Sequence, residues 1–184
     1  MCGHLLCYYG INFNNADNEG QTALMWAAAE GHLQTVKGLI NKDAKVEFVT
    51  KLGKTALLLA AQFGRDDVGK YLISKGPKVD HQDEDGQSAL FGAISSGSHV
   101  LCELLLDKSC GLELHTKRGE TALMWAAMQQ QLQCLQLLVS RKAMVHTQDE
   151  NGQKALDHAE GTLNSHVVEV LREAVANQPL PDDA

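Results

Sequence analysis

Aromatic residues are scarce in this chain: three Tyr, four Phe and two Trp make up 5% of its 184 residues. Any core must therefore be built from aliphatic and small side chains. The five cysteines, Cys2, Cys7, Cys102, Cys110 and Cys134, contain no CxxC pair. An odd set without paired spacing fits free thiols in a reducing compartment better than a disulfide framework. No apolar run approaches the length of a membrane span. The opening "MCGHLLCYYG" lacks the basic region of a signal peptide. Positive charge is in deficit, with 16 Lys and Arg against 23 Asp and Glu and a formal net charge of -7. That balance argues against a nucleic-acid backbone or an anionic membrane as the main partner. The remainder, 44% hydrophobic and 21% charged, reads as a soluble intracellular protein, cytoplasmic or nuclear. Its length suits one ordinary domain or one short array.

Catalytic patterns are missing as well. "GKT" at Gly53–Thr55 lacks the glycine five positions earlier that a phosphate-binding loop needs, since Phe48 stands there. Asp83 and Asp85 occupy two acidic positions of a calcium loop, but its closing glutamate would fall on Gly92. His158 and His166 lack HExxH spacing, and the eight histidines are scattered along the chain. Cys102 and Cys134 read as small apolar fillers. No set of nucleophile, base and acid is present. The expectation is a non-enzymatic chain with no metal and no cofactor.

What the chain does have is repetition. "TALMWAA" stands at Thr22–Ala28 and again at Thr121–Ala127. Glycine recurs every 33 residues, at Gly20, Gly53, Gly86, Gly119 and Gly152. Alanine keeps the same beat at Ala23, Ala56, Ala89, Ala122 and Ala155, and leucine at Leu24, Leu57, Leu90, Leu123 and Leu156. A further alanine series runs Ala27, Ala60, Ala93, Ala126, Ala159. Such a period is the mark of a repeat architecture.

Each unit has a physical logic. The tips "DNEGQT", "TKLGKT", "DEDGQS", "TKRGET" and "DENGQK" are turn-like, with a glycine suited to positive φ. Thr22, Thr55, Ser88 and Thr121 follow as N-caps. A short alanine-rich helix comes next, whose small residues let neighbouring helices approach. After a break at Gly31, Gly64 and Gly97, a second apolar helix reads "LQTVKGLI", "DDVGKYLI", "HVLCELLL" and "LQCLQLLV". A loop returns through Val46, Val79, Leu112 and Val145. One unit cannot bury its own core, so the copies must stack into a solenoid.

These residues resemble the ankyrin repeat, a 33-residue unit whose first helix opens T-P-L-H-x-A. Here the motif reads "TALMWA", "TALLLA", "SALFGA" and "TALMWA", and degrades to "KALDHA". "GHLQTVKGLI" is similar to the family's second helix, and "DAKVE", "GPKVD" and "KAMVH" to its loop. The resemblance implies an all-α solenoid of stacked helix–turn–helix units with hairpin-like fingers. Full copies are expected at 18–50, 51–83, 84–116 and 117–149, with a capping copy at 150–176 and a disordered tail at 177–184. Residues 1–17 align with a second helix and its loop alone, so either the chain is a piece of a longer array, which is the favoured expectation because an apolar half-repeat is a poor cap, or the N-cap is half a repeat. The family's proline is alanine in every copy, and its bridging histidine is Met25, Leu58, Phe91, Met124 and Asp157. A stack held by packing, with little polar bridging between repeats, is expected in consequence.

The resemblance further implies a module that binds another protein or peptide on its concave side, made by the fingers and the first helices. Alternatives are a regulatory or targeting domain of a larger enzyme or signalling protein, and a structural spacer. A monomer is expected, with the apolar N-terminal half-repeat, including Cys2, Leu5 and Cys7, as a place for association. The matching positions are Asn18, Glu19, Gln21, Ala29 and Glu30 in the first copy, and Lys51, Leu52, Lys54, Gln62 and Phe63 in the second. The third supplies Glu84, Asp85, Gln87, Ser95 and Ser96, and the fourth Lys117, Arg118, Glu120, Met128 and Gln129. Trp26 and Trp125 hold equivalent places, where Leu59 and Gly92 stand in the copies between. Those rings pack on neighbouring first helices or present an edge to a ligand. Gly92 is expected to leave a dent for an apolar anchor. The tips alternate between acidic (Asp17, Asp83, Asp149) and Thr–Lys (Thr50, Thr116) forms. Two accounts stand side by side: alternate fingers attract each other, or they read alternating charge on a partner.

Overall fold

The computed structural model describes residues 12–108, 110–161 and 164–178. The expected half-repeat falls outside them up to residue 11, and the tail beyond Gln178 likewise. Ten helices are described, in two layers. The first helices of the units are α1 (Ala23–Glu30), α3 (Ala56–Gln62), α5 (Ala89–Ser95), α7 (Ala122–Met128) and α9 (Ala155–Glu160). The second helices are α2 (Leu33–Ile40), α4 (Asp66–Ser74), α6 (His99–Asp107), α8 (Leu132–Ser140) and α10 (Ser165–Asn177). Each helix packs on its hairpin partner and on the equivalent helices of adjacent units. No helix is long and apolar enough to cross a membrane among the described residues.

The caps explain why each first helix starts where it does. The hydroxyls of Thr22, Thr55 and Thr121 accept the backbone N–H of Met25, Leu58 and Met124. In return, Met25 Sδ and Met124 Sδ accept the N–H of Thr22 and Thr121 at 3.5 and 3.4 Å. Methionine thus does weakly what a polar N3 residue does in a capping box. Ser88 departs from expectation. It holds the cap position, but its hydroxyl is buried without a partner among the described residues. The second helices need fewer devices. Their apolar stripes, such as Val36 with Leu39 and Leu101 with Cys102 and Leu105, are buried against the first layer. Helix α10 runs one residue into the expected tail, to Asn177.

The expectation of little polar bridging is overturned. Successive fingers are joined by main-chain bonds of 2.9 Å, from Lys51 N to Glu19 O, Glu84 N to Leu52 O, Lys117 N to Asp85 O and Glu150 N to Arg118 O. The tip glycines make this approach possible. Gly86 has φ +80, and a Cβ there would lie 3.0 Å from His115 O and Lys117 N of the next finger. Both the left-handed backbone and the close neighbour demand glycine. A second ladder runs through the return loops. Asn14 Oδ1, Glu47 Oε1 and Glu113 Oε1, at one repeat position, accept the N–H of Lys45, Lys78 and Met144 from the following loop. The absence of the bridging histidine that the resemblance implies did not remove polar bridging, because backbone N–H and C=O groups need partners whatever side chains they carry.

Gly38 shows the opposite case. It lies in α2, is exposed, and a Cβ added to it would meet nothing within 4 Å. Gly38→Ala is therefore expected to stabilise the fold by about 1 kcal/mol through helix propensity alone. A thermal melt should rise by roughly 2–4 °C.

Candidate functional site

The fingers are built by a local network that explains the Asp and Thr alternation. In every described finger the first tip residue and the residue four later share a backbone bond, as in Asp17 N to Gln21 O at 2.9 Å. The tip side chain then accepts N–H groups of its own turn. Asp17 Oδ1 takes those of Glu19 and Gln21, Asp83 Oδ1 those of Asp85 and Gln87, and Asp149 Oδ1 those of Asn151 and Gln153. Thr50 Oγ1 accepts the Lys54 N–H, and Thr116 Oγ1 those of Arg118 and Glu120. Asp and Thr are both turn-forming acceptors, so either serves. Asp83 is thereby committed to its turn, and no group of three or more metal-ligating side chains exists among the described residues.

The aspartates differ from the threonines in having a second oxygen. In copy one, Asp17 Oδ2 accepts the Trp26 indole N–H at 3.3 Å. In copy five, the equivalent Asp149 Oδ2 accepts from His158 Nε2 at 3.0 Å. The Gln21 N–H holds the Asp17 carboxyl below its ordinary value, helped by Trp26 and Glu19 against partial desolvation. At Asp149, burial pushes upward, but the Gln153 and Asn151 N–H groups and His158 outweigh it and lower the carboxyl. Copy three has Gly92 at this place. Asp83, 8% exposed, keeps an Oδ2 with no partner among the described residues.

The two tryptophans consequently behave differently. Trp26 is 51% exposed and turned to its own finger. Trp125 faces Thr116, whose hydroxyl already donates to Glu120 Oε2 at 2.9 Å. Its indole N–H instead reaches back to Ser95 Oγ on α5 at 2.8 Å, and its ring meets Phe91 edge-on at 5.8 Å. Trp125 thus packs on a neighbouring first helix and is only partly accessible.

Of the expected surface residues, Asn18, Glu19, Glu30, Lys51, Leu52, Phe63, Glu84, Asp85, Ser96, Lys117, Arg118 and Gln129 are exposed, with Gln21, Lys54, Gln87, Glu120 and Met128 partly so. Leu52 and Phe63 are large apolar side chains left 58% and 52% exposed on the second unit. Gly92 is the exception, and the expected dent does not exist. Gly92 is buried, and a Cβ on it would lie 2.9 Å from Gln62 N and 3.2 Å from Gln62 Cα. Its role is to bring α5 against the end of α3.

An open hollow of about 410 Å³ lies instead one unit further on, between the third and fourth fingers. Asp85 and Gln87 form one side, Lys117, Arg118 and Glu120 the other, and Trp125, Met128 and Gln129 its helix floor. The Lys117 and Arg118 side chains form no hydrogen bond or ion pair with any described residue. The described ion pairs are Arg141–Asp107, His158–Asp149 and Arg172–Glu160, so none links neighbouring fingertips. A larger hollow of about 650 Å³ between α8 and α10, floored by Val139, Val170 and Ala174, contains none of the expected residues. Nothing in the repeat pattern pointed to it.

A family model described as ankyrin repeats (three copies) matches the chain in overlapping stretches, at residues 1–83, 36–114, 70–149 and 90–179. No curated protein matches the chain at a significant level.

Proposed function

Because the chain belongs to the ankyrin repeat family, whose members are generally non-catalytic protein–protein interaction modules, we propose that it holds an extended segment of a partner protein across its fingers and first helices. The hollow between fingers three and four is the centre of that surface. The observation that carries the reading is the meeting there of two unpaired cations, Lys117 and Arg118, with a half-buried Trp125 and Met128. Cations without internal partners can be satisfied by an acidic side chain from outside. An accessible aromatic face beside them supplies the apolar area on which interface energy concentrates. The favoured ligand is a peptide with a carboxylate next to an apolar residue. Asp85 on the facing wall disfavours a second acidic group on that side.

The test is selection of peptides from a displayed random library against the whole chain, followed by titration while watching Trp fluorescence. Selected peptides should combine an acidic and an apolar residue. The double reversal Lys117→Glu with Arg118→Glu should weaken them by about tenfold or more, equivalent to roughly 1.4 kcal/mol. The melting temperature should stay within a degree or so, since exposed charges contribute little to stability. Peptides indifferent to the reversal, or a reversal that unfolds the chain, would sink the reading.

A further inference from the structure

We infer that Cys102 and Cys134 form a thiol-oxidation site, closed to a disulfide by a small peroxide, that clamps the third unit to the fourth. Cys102 lies in α6 and Cys134 in α8, both fully buried, with their sulfur atoms 3.4 Å apart. The two occupy a contact that recurs along the second-helix layer. At the preceding junction the corresponding residues are Gly69 and Leu101, and a Cβ on Gly69 would lie 2.7 Å from a Leu101 methyl carbon. Where that junction opposes hydrogen to a methyl group, this one opposes two thiols.

The pair is also electronically uneven. The Cys102 S–H donates to Cys134 Sγ, which lowers the Cys134 thiol against the opposing effect of burial. The same bond, with burial, holds Cys102 protonated. Cys110 is buried too, and desolvation pushes its thiol up to about 11. Cys134 is therefore the first of the three to supply a thiolate, which is the reactive form.

The chemistry balances with one peroxide. Cys134 thiolate attacks hydrogen peroxide, an S–O bond forms, the O–O bond breaks, and the leaving hydroxide takes a proton to become water. The Cys102 sulfur then attacks the Cys134 sulfenic acid. An S–S bond forms, the S–O bond breaks, and the hydroxyl leaves as a second water with the Cys102 proton. Two thiols are oxidised and one peroxide is reduced. The sulfurs must close from 3.4 Å to about 2.05 Å. Burial of both sulfurs favours a peroxide of nearly water size over a bulky disulfide as the oxidant.

The test treats the whole reduced chain with hydrogen peroxide under native conditions, blocks remaining thiols with iodoacetamide after denaturation, and maps peptides without reductant. A Cys102–Cys134 linked peptide should become the main form of both, and dithiothreitol should release it. Amide exchange in α6 and α8 should slow by about tenfold or more in the oxidised chain. Cys134→Val, which restores the residue standing at Val68 and Val167, should abolish both the link and the slowing. So should Cys102→Val, which restores the residue at Val36. Recovery of both cysteines as blocked thiols, a link from Cys102 to Cys110, or equal slowing in either variant would overturn the inference. Should a variant fail to fold, the peptide map of the unsubstituted chain decides alone.

Discussion

Phe91→Ala is expected to lower the unfolding free energy by about 3–5 kcal/mol. Phe91 is the largest of the fully buried side chains and sits in α5, the middle first helix. Its neighbours are the first helices α3 and α7, each with three alanines beside larger side chains such as Leu58 and Trp125. Packed helices relax only partly into the void left by the ring, which puts the cost within the range for Phe-to-Ala substitutions. Phe91→Leu should cost much less, because copy two carries Leu58 at the same place and buries it fully. The loss should also free Trp125, whose ring is held by the edge contact with Phe91 at 5.8 Å. Urea unfolding followed by helical circular dichroism would measure the cost. Tryptophan fluorescence adds a positional readout, since Trp26 and Trp125 report from the first and fourth units. In a linear array, stability is a sum of unit and junction terms. Weakening the middle should therefore separate the two probes into distinct transitions. A single coincident transition with unchanged midpoint would refute the account.

Gly92→Leu comes next in size, at about 3 kcal/mol, or a fall in melting temperature of roughly 6–12 °C. The added Cβ meets backbone, not a movable side chain: Gln62 N at 2.9 Å, Gln62 Cα at 3.2 Å and Ala61 C at 3.3 Å. Relief requires α3 and α5 to separate, and that would loosen the packing between these two helices. Gly92→Ala makes the same Cβ contact and should retain most of the penalty. A melt indistinguishable from that of the unsubstituted chain would show that the two helices part without cost. The substitution acts through the frame, so a loss of peptide binding in Gly92→Leu says nothing about an anchor pocket at that place. Reversal of Lys117 and Arg118 probes recognition without touching the frame.

The helices were legible from the repeat because local chemistry and period agreed. "LQTVKGLI" coincides with α2, Thr at the caps bonds the N3 backbone, and glycine at the tips takes positive φ. These features depend on residues within one turn of each other, which a sequence displays directly. The surface residues were legible for a related reason: positions that vary on a constant frame are those that packing does not constrain. The finger residues expected on the binding surface accordingly reach solvent at least in part, whereas the tip residues Asp83, Thr116 and Asp149 are buried in their own turns.

Other features became visible only when neighbouring units were placed side by side. The finger-to-finger bonds join main-chain groups, which carry no letter, so the absence of the family's histidine suggested a weak polar ladder where a regular one exists. Trp26 and Trp125 share a letter and a register, yet one turns to Asp17 and the other to Ser95, because Thr116 lacks the second oxygen that Asp17 offers. Gly92 reads equally well as a gap or as a contact until the position of Gln62 is known. Cys102 and Cys134 are 32 residues apart, one short of the period, and only the stacking of α6 on α8 brings their sulfurs together. The sequence by itself determined the unit, its period and most of its exposed positions, since each follows from short-range bonding and burial pattern. Tertiary structure decided which of those positions meet, because that depends on the distance and angle between units, and a period expresses neither.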